Sequence, residues 1–248
     1  MVFCNGFGGY QEIWSAQKPA LIGHGYQMIT WDYPGQGSSS GDIADNLIQL
    51  AQNLALIILK LDLRNPILIG HSMGASVIWN YLQNFGTDNI AGILTIDQSP
   101  KMINTPHWNF GLNGVSNENI SEKLTTKFSV HETMHGLVPI VSNELADAKT
   151  KHPFNRSEAQ KLLLSHFKAD WRNTIERLMI PVQLITARSS PYFPNGYGEW
   201  LQNHNPQIRE TIMENCGHDI MAEIPNQFNR SMIDFLKICI KKKSSPNY

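Results

Sequence analysis

Short apolar runs alternate with amphipathic stretches along this chain of 248 residues. Six apolar runs predict β-strands, at residues 1–4, 27–31, 66–69, 92–96, 182–186 and 209–213. Most of them are continuously apolar, as expected of parallel strands that helices cover on both faces. The last run is more polar, which suits a strand at the edge of a sheet. The alternation predicts the α/β class, with a mostly parallel sheet flanked by helices.

Three amphipathic stretches predict the helices that pack on this sheet. Between residues 43 and 61 apolar side chains recur at spacings of three and four, and Asp42 is placed to cap this helix. A second helix is predicted to begin at Ser72 and to end near Gly86, a residue type typical of helix C-termini. The final helix is predicted over about residues 225–241.

Residues 100–180 interrupt the alternation of strands and helices. The stretch has few strand signals and three helical patches, at residues 118–128, 141–149 and 157–167. We therefore predict a core formed by residues 1–99 and 181–248, with residues 100–180 inserted as a helical cap.

Composition narrows the classes of function. The formal net charge is −1 and the sequence pI about 6.7, so neither nucleic acid nor an anionic membrane surface is indicated as a partner. The basic cluster at residues 241–243 is interpreted as a solvated helix end, and no apolar run reaches the roughly 20 residues that span a bilayer. Three cysteines are too few for a disulfide framework and favour a cytoplasmic protein with reduced thiols.

The strongest motif is Gly70-His71-Ser72-Met73-Gly74. A predicted strand runs directly into it and a predicted helix leaves it, which is the context that makes Gly-x-Ser-x-Gly specific for a nucleophilic serine. A sharp strand-to-helix turn lifts the hydroxyl of Ser72 clear of the sheet, and the small glycines let the chain approach itself closely.

Two further segments supply the chemistry that such a serine requires. His218 follows the last predicted strand, at the sheet edge where Ser72 lies, and is the candidate general base. Residues 5–9 form a glycine-rich turn after the first strand. The backbone amides of Phe7 and Met73 are the candidate donors of an oxyanion hole.

Four segments together resemble the α/β-hydrolase superfamily: residues 5–14, 31–38, 70–74 and 217–225. The resemblance implies the α/β-hydrolase fold with an inserted helical cap and a serine hydrolase. We expect no cofactor, and no Cys/His/Asp spacing in the sequence resembles a metal site. It assigns Asp32 to a structural turn, without a catalytic role.

The chain departs from the family at its start, because the usual N-terminal strand pair is absent before the oxyanion turn. We expect a reduced sheet of about six strands with residues 27–31 at an open edge. Either the chain is shortened, or this edge is covered by the tail or by a partner subunit, as in a homodimer.

A second departure concerns the acid of the catalytic triad. The family usually places it after the strand at residues 182–186, but the following loop has no carboxylate and Ser190 stands near the expected position. Either the triad is incomplete or the acid has moved. Asp97, at the end of the neighbouring strand, is the candidate replacement, although it could instead cap a backbone turn; Asp219 ranks behind it.

A serine at the elbow favours a small-molecule acyl substrate, because related dehalogenases and epoxide hydrolases attack with an aspartate there. The interpretation is an esterase of the carboxylesterase type (EC 3.1.1) that works through an acyl-enzyme. The candidate pocket walls are Trp14, Trp108, Phe110 and Tyr192. A cofactor-free haloperoxidase or perhydrolase, a carbon–carbon bond hydrolase and a receptor-like member with little turnover remain as alternatives.

Overall fold

The computed structural model describes residues 1–126 and 128–244, with side chains described as far as residue 241. Five parallel strands form one sheet in which spatial order follows chain order. They are β1 (Val2–Cys4), β2 (Ile67–His71), β3 (Gly92–Ile96), β4 (Val182–Ala187) and β5 (Ile208–Met213). The mostly parallel sheet predicted from the apolar runs is confirmed.

Helices connect the strands and cover the sheet. A short 3-10 helix, Gln11–Trp14, follows the first turn. The α-helices are α1 (Lys18–Gly23), α2 (Leu47–Lys60), α3 (Met73–Phe85), α4 (Ile120–Thr125), α5 (Pro139–Lys151), α6 (Gln160–Lys168), α7 (Arg172–Glu176), α8 (Tyr197–His204), α9 (Ile220–Glu223) and α10 (Pro225–Ser244). Among the described residues no helix has the length and apolar composition needed to cross a bilayer.

The sheet buries side chains on both faces. Leu68 of β2 belongs to the cluster that contains the apolar stripes of α2 and α3. Its neighbours Ile67 and Ile69 belong to the opposite cluster, with residues of α1 and α10. Alternate residues of a strand point to opposite faces, so a strand covered on both sides must be apolar throughout. This requirement explains why the runs could be recognised as buried strands.

The run at residues 27–31 is a correction to the predicted six strands. It forms a single bridge, between Val2 and Ile29, rather than a strand. The amide of Phe3 donates to the Ile29 carbonyl at 2.9 Å, and the amide of Ile29 donates to the Met1 carbonyl at 2.9 Å. This short pairing still covers part of the β1 edge.

The start of α2 also differs from the prediction. The helix begins at Leu47, and Asn46 is its N-cap, with a side-chain oxygen that accepts from the Gln49 amide at 3.1 Å. Asp42 is exposed and lies outside the helix, so the cap assigned to it is wrong. The apolar residue at position 43 extended the periodic pattern beyond the helix.

Residues 100–180 lie between β3 and β4 and contain α4, α5, α6 and α7. Helix α5 packs against the 3-10 helix, whereas α6 packs against α4 and α2. The chain thus returns to the sheet only at β4. The division into a core and an inserted cap stays a prediction.

Asn46→Ala should lower the free energy of unfolding by about 1 kcal/mol, because the Gln49 amide loses its acceptor. Asp42→Ala should change it by less than about 0.5 kcal/mol, as expected of an exposed residue outside a cap. Urea unfolding of the two variants and the wild type measures both values. An equal loss in the two variants would mean that the helix begins earlier than described.

Candidate active site

Ser72 occupies the sharp turn between β2 and α3. Its backbone has a φ of 53° and a ψ of −125°, a conformation that side chains rarely adopt. Its amide donates to the Ile96 carbonyl at 3.0 Å, which extends the pairing of β2 with β3 by one residue. Such a conformation costs of the order of 1–3 kcal/mol and persists only where the surrounding structure holds it.

Two glycines of the motif make the turn possible. A Cβ atom at Gly70 would lie 2.6 Å from backbone atoms of Gly74, and a Cβ at Gly74 would collide with the Cys4 carbonyl oxygen. Helix α3 therefore begins in direct backbone contact with the end of β1. The same contact brings the chain after β1 next to Ser72.

The turn after β1 lies against the elbow. A Cβ at Gly6 would be 3.3 Å from the Cβ of Ser72, and the turn is closed by a 3.1 Å hydrogen bond from the Gly9 amide to the Gly6 carbonyl. Within the described part of the chain, neither the Phe7 amide nor the Met73 amide donates to a protein acceptor. Both predicted oxyanion donors are therefore available for a ligand.

Asp97 directly follows β3 and is 1% exposed in its side chain. Its φ is 45°, and its amide donates to the Ile185 carbonyl at 2.8 Å. One carboxylate oxygen accepts from the Ala187 amide at 3.1 Å and the other lies 2.7 Å from Nδ1 of His218. The carboxylate is thus fixed from the backbone of β4 and aimed at the histidine.

Ser190 stands beside this carboxylate. Its hydroxyl donates to Asp97 Oδ2 at 2.6 Å and accepts from the amides of Tyr192 and Phe193 at 3.3 and 3.2 Å. The residue at the usual position of the acid therefore supports the carboxylate that the neighbouring strand supplies.

His218 lies in the loop after β5 and is 4% exposed in its side chain. Buried Glu223 anchors this loop by accepting from the amides of Gly217, Met134 and His135 at 2.7, 2.7 and 2.6 Å. The ring of Tyr192 meets the imidazole edge-on, with centroids 4.6 Å apart. These contacts hold the loop that carries His218 against Met134, His135 and Tyr192.

A second buried histidine and a second acid lie next to His218. His71 Nε2 is 3.2 Å from the His218 carbonyl oxygen and 3.6 Å from Asp219 Oδ1. Asp219 therefore faces His71, and the structure gives it no contact with Nδ1 of His218. Of the two candidate acids, only Asp97 contacts the imidazole ring nitrogen in the described structure.

Burial and nearby charge set the ionisation of these groups. Burial acts to lower the pKa of His218, but the hydrogen bond and negative charge of Asp97, with smaller contributions from Asp219 and Glu132, outweigh it. The pKa therefore lies above the ordinary value. Burial holds the pKa of His71 well below its ordinary range. Burial also raises the pKa of Asp219 to about 7. At neutral pH His71 is therefore neutral, and His218 is the more basic of the two imidazoles.

A cavity of about 650 Å³ opens above Ser72 and is lined by both Ser72 and His218. Of the four predicted pocket walls, Tyr192 lines it. Trp14, Trp108 and Phe110 are a correction, because the structure places none of them at this cavity. Trp14 is fully buried and donates to Asn5, while the Trp108 ring packs against Trp200 and Phe110.

Most of the remaining wall comes from residues 100–180, where the sequence offered no motif. Apolar side chains on the wall include Phe128, Phe154, Leu163 and Phe167; charged ones include Glu132, Lys149 and Arg156. Helical periodicity marks which side chains are buried, but it does not indicate which of them face a distant serine. Only the tertiary packing of this region onto the sheet brings them there.

Asp32 lies outside these interactions with His218. Its carboxylate accepts from the amides of Gln11 and Ser38 at 2.9 and 3.0 Å. It therefore fastens two loops to each other, in agreement with a structural turn.

Known proteins that are similar to this chain include hydrolases and an esterase. The family model described as alpha/beta hydrolase fold matches residues 1–132. Pimeloyl-acyl-carrier-protein methyl ester esterase of Nitrosomonas europaea is 21% identical over 240 residues, which cover 92% of each chain. Bifunctional epoxide hydrolase 2 of Sus scrofa is 21% identical over 282 residues, which cover 94% of this chain and 50% of that protein. The chain thus spans about half the length of this second relative.

A solved structure shares the architecture. The esterase EaEST of Exiguobacterium antarcticum superposes with a TM-score of 0.82 at 17% identity, covering 95% of this chain and 91% of that one. At this identity the likeness establishes the fold.

Gly74→Ala should destabilise the protein although alanine favours a helix by up to about 1 kcal/mol, because the new methyl group would collide with the Cys4 carbonyl. Gly23→Ala is the matched control, since Gly23 also lies in a helix and its Cβ would meet no atom within 4 Å. Thermal unfolding should give a lower Tm for Gly74→Ala and an unchanged or higher Tm for Gly23→Ala. A Tm of Gly74→Ala equal to that of the wild type would contradict the close contact.

Proposed function

This chain belongs to the α/β hydrolase fold family and is a hydrolase of that type; we propose that it is a serine esterase that cleaves an ester or a similar acyl bond through an acyl-enzyme. The observation that carries the proposal is the 2.7 Å contact between His218 Nδ1 and the buried Asp97 carboxylate, beside the cavity that Ser72 and His218 line. It supplies a histidine that is oriented and made more basic beside a serine on a strained turn.

In the first half of the proposed reaction, Ser72 Oγ attacks the carbonyl carbon of the substrate while His218 Nε2 takes the hydroxyl proton. Negative charge moves to the carbonyl oxygen, where the amides of Phe7 and Met73 stabilise it. Collapse of the tetrahedral intermediate releases the alcohol, which receives the proton from His218, and leaves the acyl group on Ser72.

In the second half, water attacks the acyl-enzyme and transfers a proton to His218. The tetrahedral intermediate then releases the acid, and the proton returns to Ser72. Throughout both halves Asp97 stays ionised, holds the imidazole in the tautomer with Nδ1 protonated, and stabilises the imidazolium.

Serine at the elbow separates this proposal from hydrolases that attack with an aspartate. The receptor-like alternative rested on the polar residue at the usual acid position, and the contact of Asp97 with both Ser190 and His218 weakens it. Perhydrolase and carbon–carbon hydrolase chemistry would use the same serine and histidine. No contact of the described side chains favours either over ester hydrolysis.

Two further expectations accompany the proposal. A cytoplasmic location is suggested by Cys4 and Cys216, which are buried as free thiols. A homodimer across the β1 edge is proposed as one way to cover the part of that edge beyond the bridge at Ile29.

Ser72→Ala should lower kcat for p-nitrophenyl esters by at least about 10⁴-fold, because the attacking hydroxyl is removed. A panel of p-nitrophenyl esters of increasing acyl length measures this loss and finds the preferred acyl length. A fluorophosphonate probe should label the wild type and not the variant. Activity retained by Ser72→Ala would remove this serine from the mechanism.

The pH dependence of the activity should report the protonation of His218. Its pKa lies above the ordinary 6.5, and only the neutral ring accepts a proton, so kcat/KM should fall as pH decreases through a value above 6.5. Asp97→Asn removes the hydrogen bond to the carboxylate and the negative charge that raise this pKa most. It should shift the acid limb to lower pH and reduce turnover by about 10³–10⁴-fold.

Asp219→Asn is the matched comparison for Asp97→Asn, because both carboxylates lie near His218 and are at most 14% exposed. Its loss of turnover should be smaller, since Asp219 contacts His71 rather than Nδ1 of His218. A larger loss in Asp219→Asn than in Asp97→Asn would assign the acid to Asp219. Circular dichroism of both variants checks that the fold is kept.

A further inference from the structure

Arg156 is a charged residue of the cavity wall that forms no ion pair in the described part of the chain. It lies between α5 and α6 and lines the cavity with Ser72 and His218. Its Nε and Nη2 atoms are buried and have no hydrogen-bond partner among the described residues. Its guanidinium carbon lies 5.3 Å from the centre of the Phe7 ring. A cation is thus held beside the residue whose amide is a proposed oxyanion donor.

Arg172, in the same region of the chain, has a guanidinium whose Nε and Nη2 both have hydrogen-bond acceptors. It too lies over an aromatic ring, with its guanidinium carbon 5.0 Å from the centre of Trp108. However, its Nε and Nη2 donate to the two oxygens of Asp170 at 2.8 and 2.7 Å. The two nitrogens that carry this bidentate pair in Arg172 are those left without a partner in Arg156.

The groups around Arg156 do not neutralise it. Burial lowers the pKa of Arg156, and the charge effect that opposes this shift comes from Tyr192. Burial raises the pKa of Tyr192 itself, so its hydroxyl carries no charge at neutral pH. The Tyr192 hydroxyl donates instead to Glu132 at 2.6 Å. An arginine stays protonated in proteins, so this site holds a positive charge with two unused donors.

Such an arrangement is costly in the absence of a ligand. Removing a charged group from water without pairing it opposes folding, and an unsatisfied buried donor adds to that cost. The planar fork of a guanidinium matches the two oxygens of a carboxylate and binds them with parallel hydrogen bonds. An anionic ligand in the cavity would supply both missing acceptors at once.

We propose that Arg156 binds a carboxylate of the substrate through Nε and Nη2, so that the enzyme prefers esters that carry a second, free carboxylate group. This inference rests on the proposed esterase function and names its substrate class. The carboxylate lies on the acyl side of the scissile bond or on the alcohol side, and the two sides are tested separately.

The acyl side is tested with monomethyl esters of succinic, glutaric and adipic acid. Each is compared with the analogue in which a carboxamide replaces the free carboxylate, so that size is matched and charge is removed. The alcohol side is tested with 4-acetoxybenzoate against 4-acetoxybenzamide. On at least one side, the wild type should show a kcat/KM at least 10-fold higher for the charged member, with one chain length preferred.

Arg156→Gln should raise KM for the preferred carboxylate ester by about 10- to 100-fold and change KM for its carboxamide analogue by less than about 3-fold. Arg156→Lys should restore part of the preference, because it returns the charge without the fork. Arg172→Gln is the matched control and should leave the ratio between the charged and neutral esters unchanged. Equal losses for both members in Arg156→Gln would overturn the proposal and assign Arg156 a structural role on Phe7.

A binding measurement separates this inference from the proposed reaction. Isothermal titration calorimetry of the charged and neutral esters with Ser72→Ala needs no turnover. Tighter binding of the charged member that Arg156→Gln abolishes would support the carboxylate site even if the wild type hydrolysed no ester and resisted the fluorophosphonate probe. Equal affinity for the two members would overturn the carboxylate site, whatever the outcome of the activity assays.

Discussion

The site depends on two backbone hydrogen bonds that continue the sheet one residue beyond its strands. The Ser72 amide donates to the Ile96 carbonyl, and the Asp97 amide donates to the Ile185 carbonyl. Both residues have a positive φ, which a side chain adopts only at a cost. The hydrogen bonds between β2, β3 and β4 offset this cost and fix the two side chains of the proposed triad on adjacent strand ends.

Asp97 and His218, which the sheet brings together, stabilise each other electrostatically. The Asp97 carboxylate is almost completely buried, and its partners are the Ser190 hydroxyl, the Ala187 amide and the His218 ring. Burial acts to lower the pKa of His218, and the hydrogen bond and charge of Asp97 are the largest effects that raise it. The carboxylate and the imidazole each reduce the free-energy cost of removing the other from water, so the loss of either would destabilise its partner.

Much of the fold and part of the site could be predicted from sequence, for physical reasons that differ between elements. Buried parallel strands must be apolar on both faces, so β2, β3 and β4 were recognised; the elbow was recognised because its glycines and serine are adjacent in the chain. Residues 27–31 have the apolar content of a strand, yet they pair through a single bridge. The start of α2 depended on a local choice between two capping residues, and periodicity could not decide it.

The rest of the site is set by tertiary contacts. Asp97 was inferred because the expected loop lacks a carboxylate, but its contact with His218 joins residues that are 121 positions apart. The aromatic residues Trp14, Trp108 and Phe110 were plausible by type and lie elsewhere. Arg156 gave no signal at all, since one arginine in a polar stretch resembles any other until its unused donors are seen in the cavity.

The contact between Ser190 and Asp97 shows that two strand ends reach the same point in space. The fold thus offers two locations for one negative charge, after β3 or after β4, within hydrogen-bonding distance of each other. A change of a few side-chain atoms would move the charge between these locations while the backbone stays in place. A carboxylate at either position in the sequence would then lie near the same histidine. Chains of this architecture should therefore be compared by where their carboxylate lies in space, because alignment by position would overlook the Asp97 carboxylate beside His218.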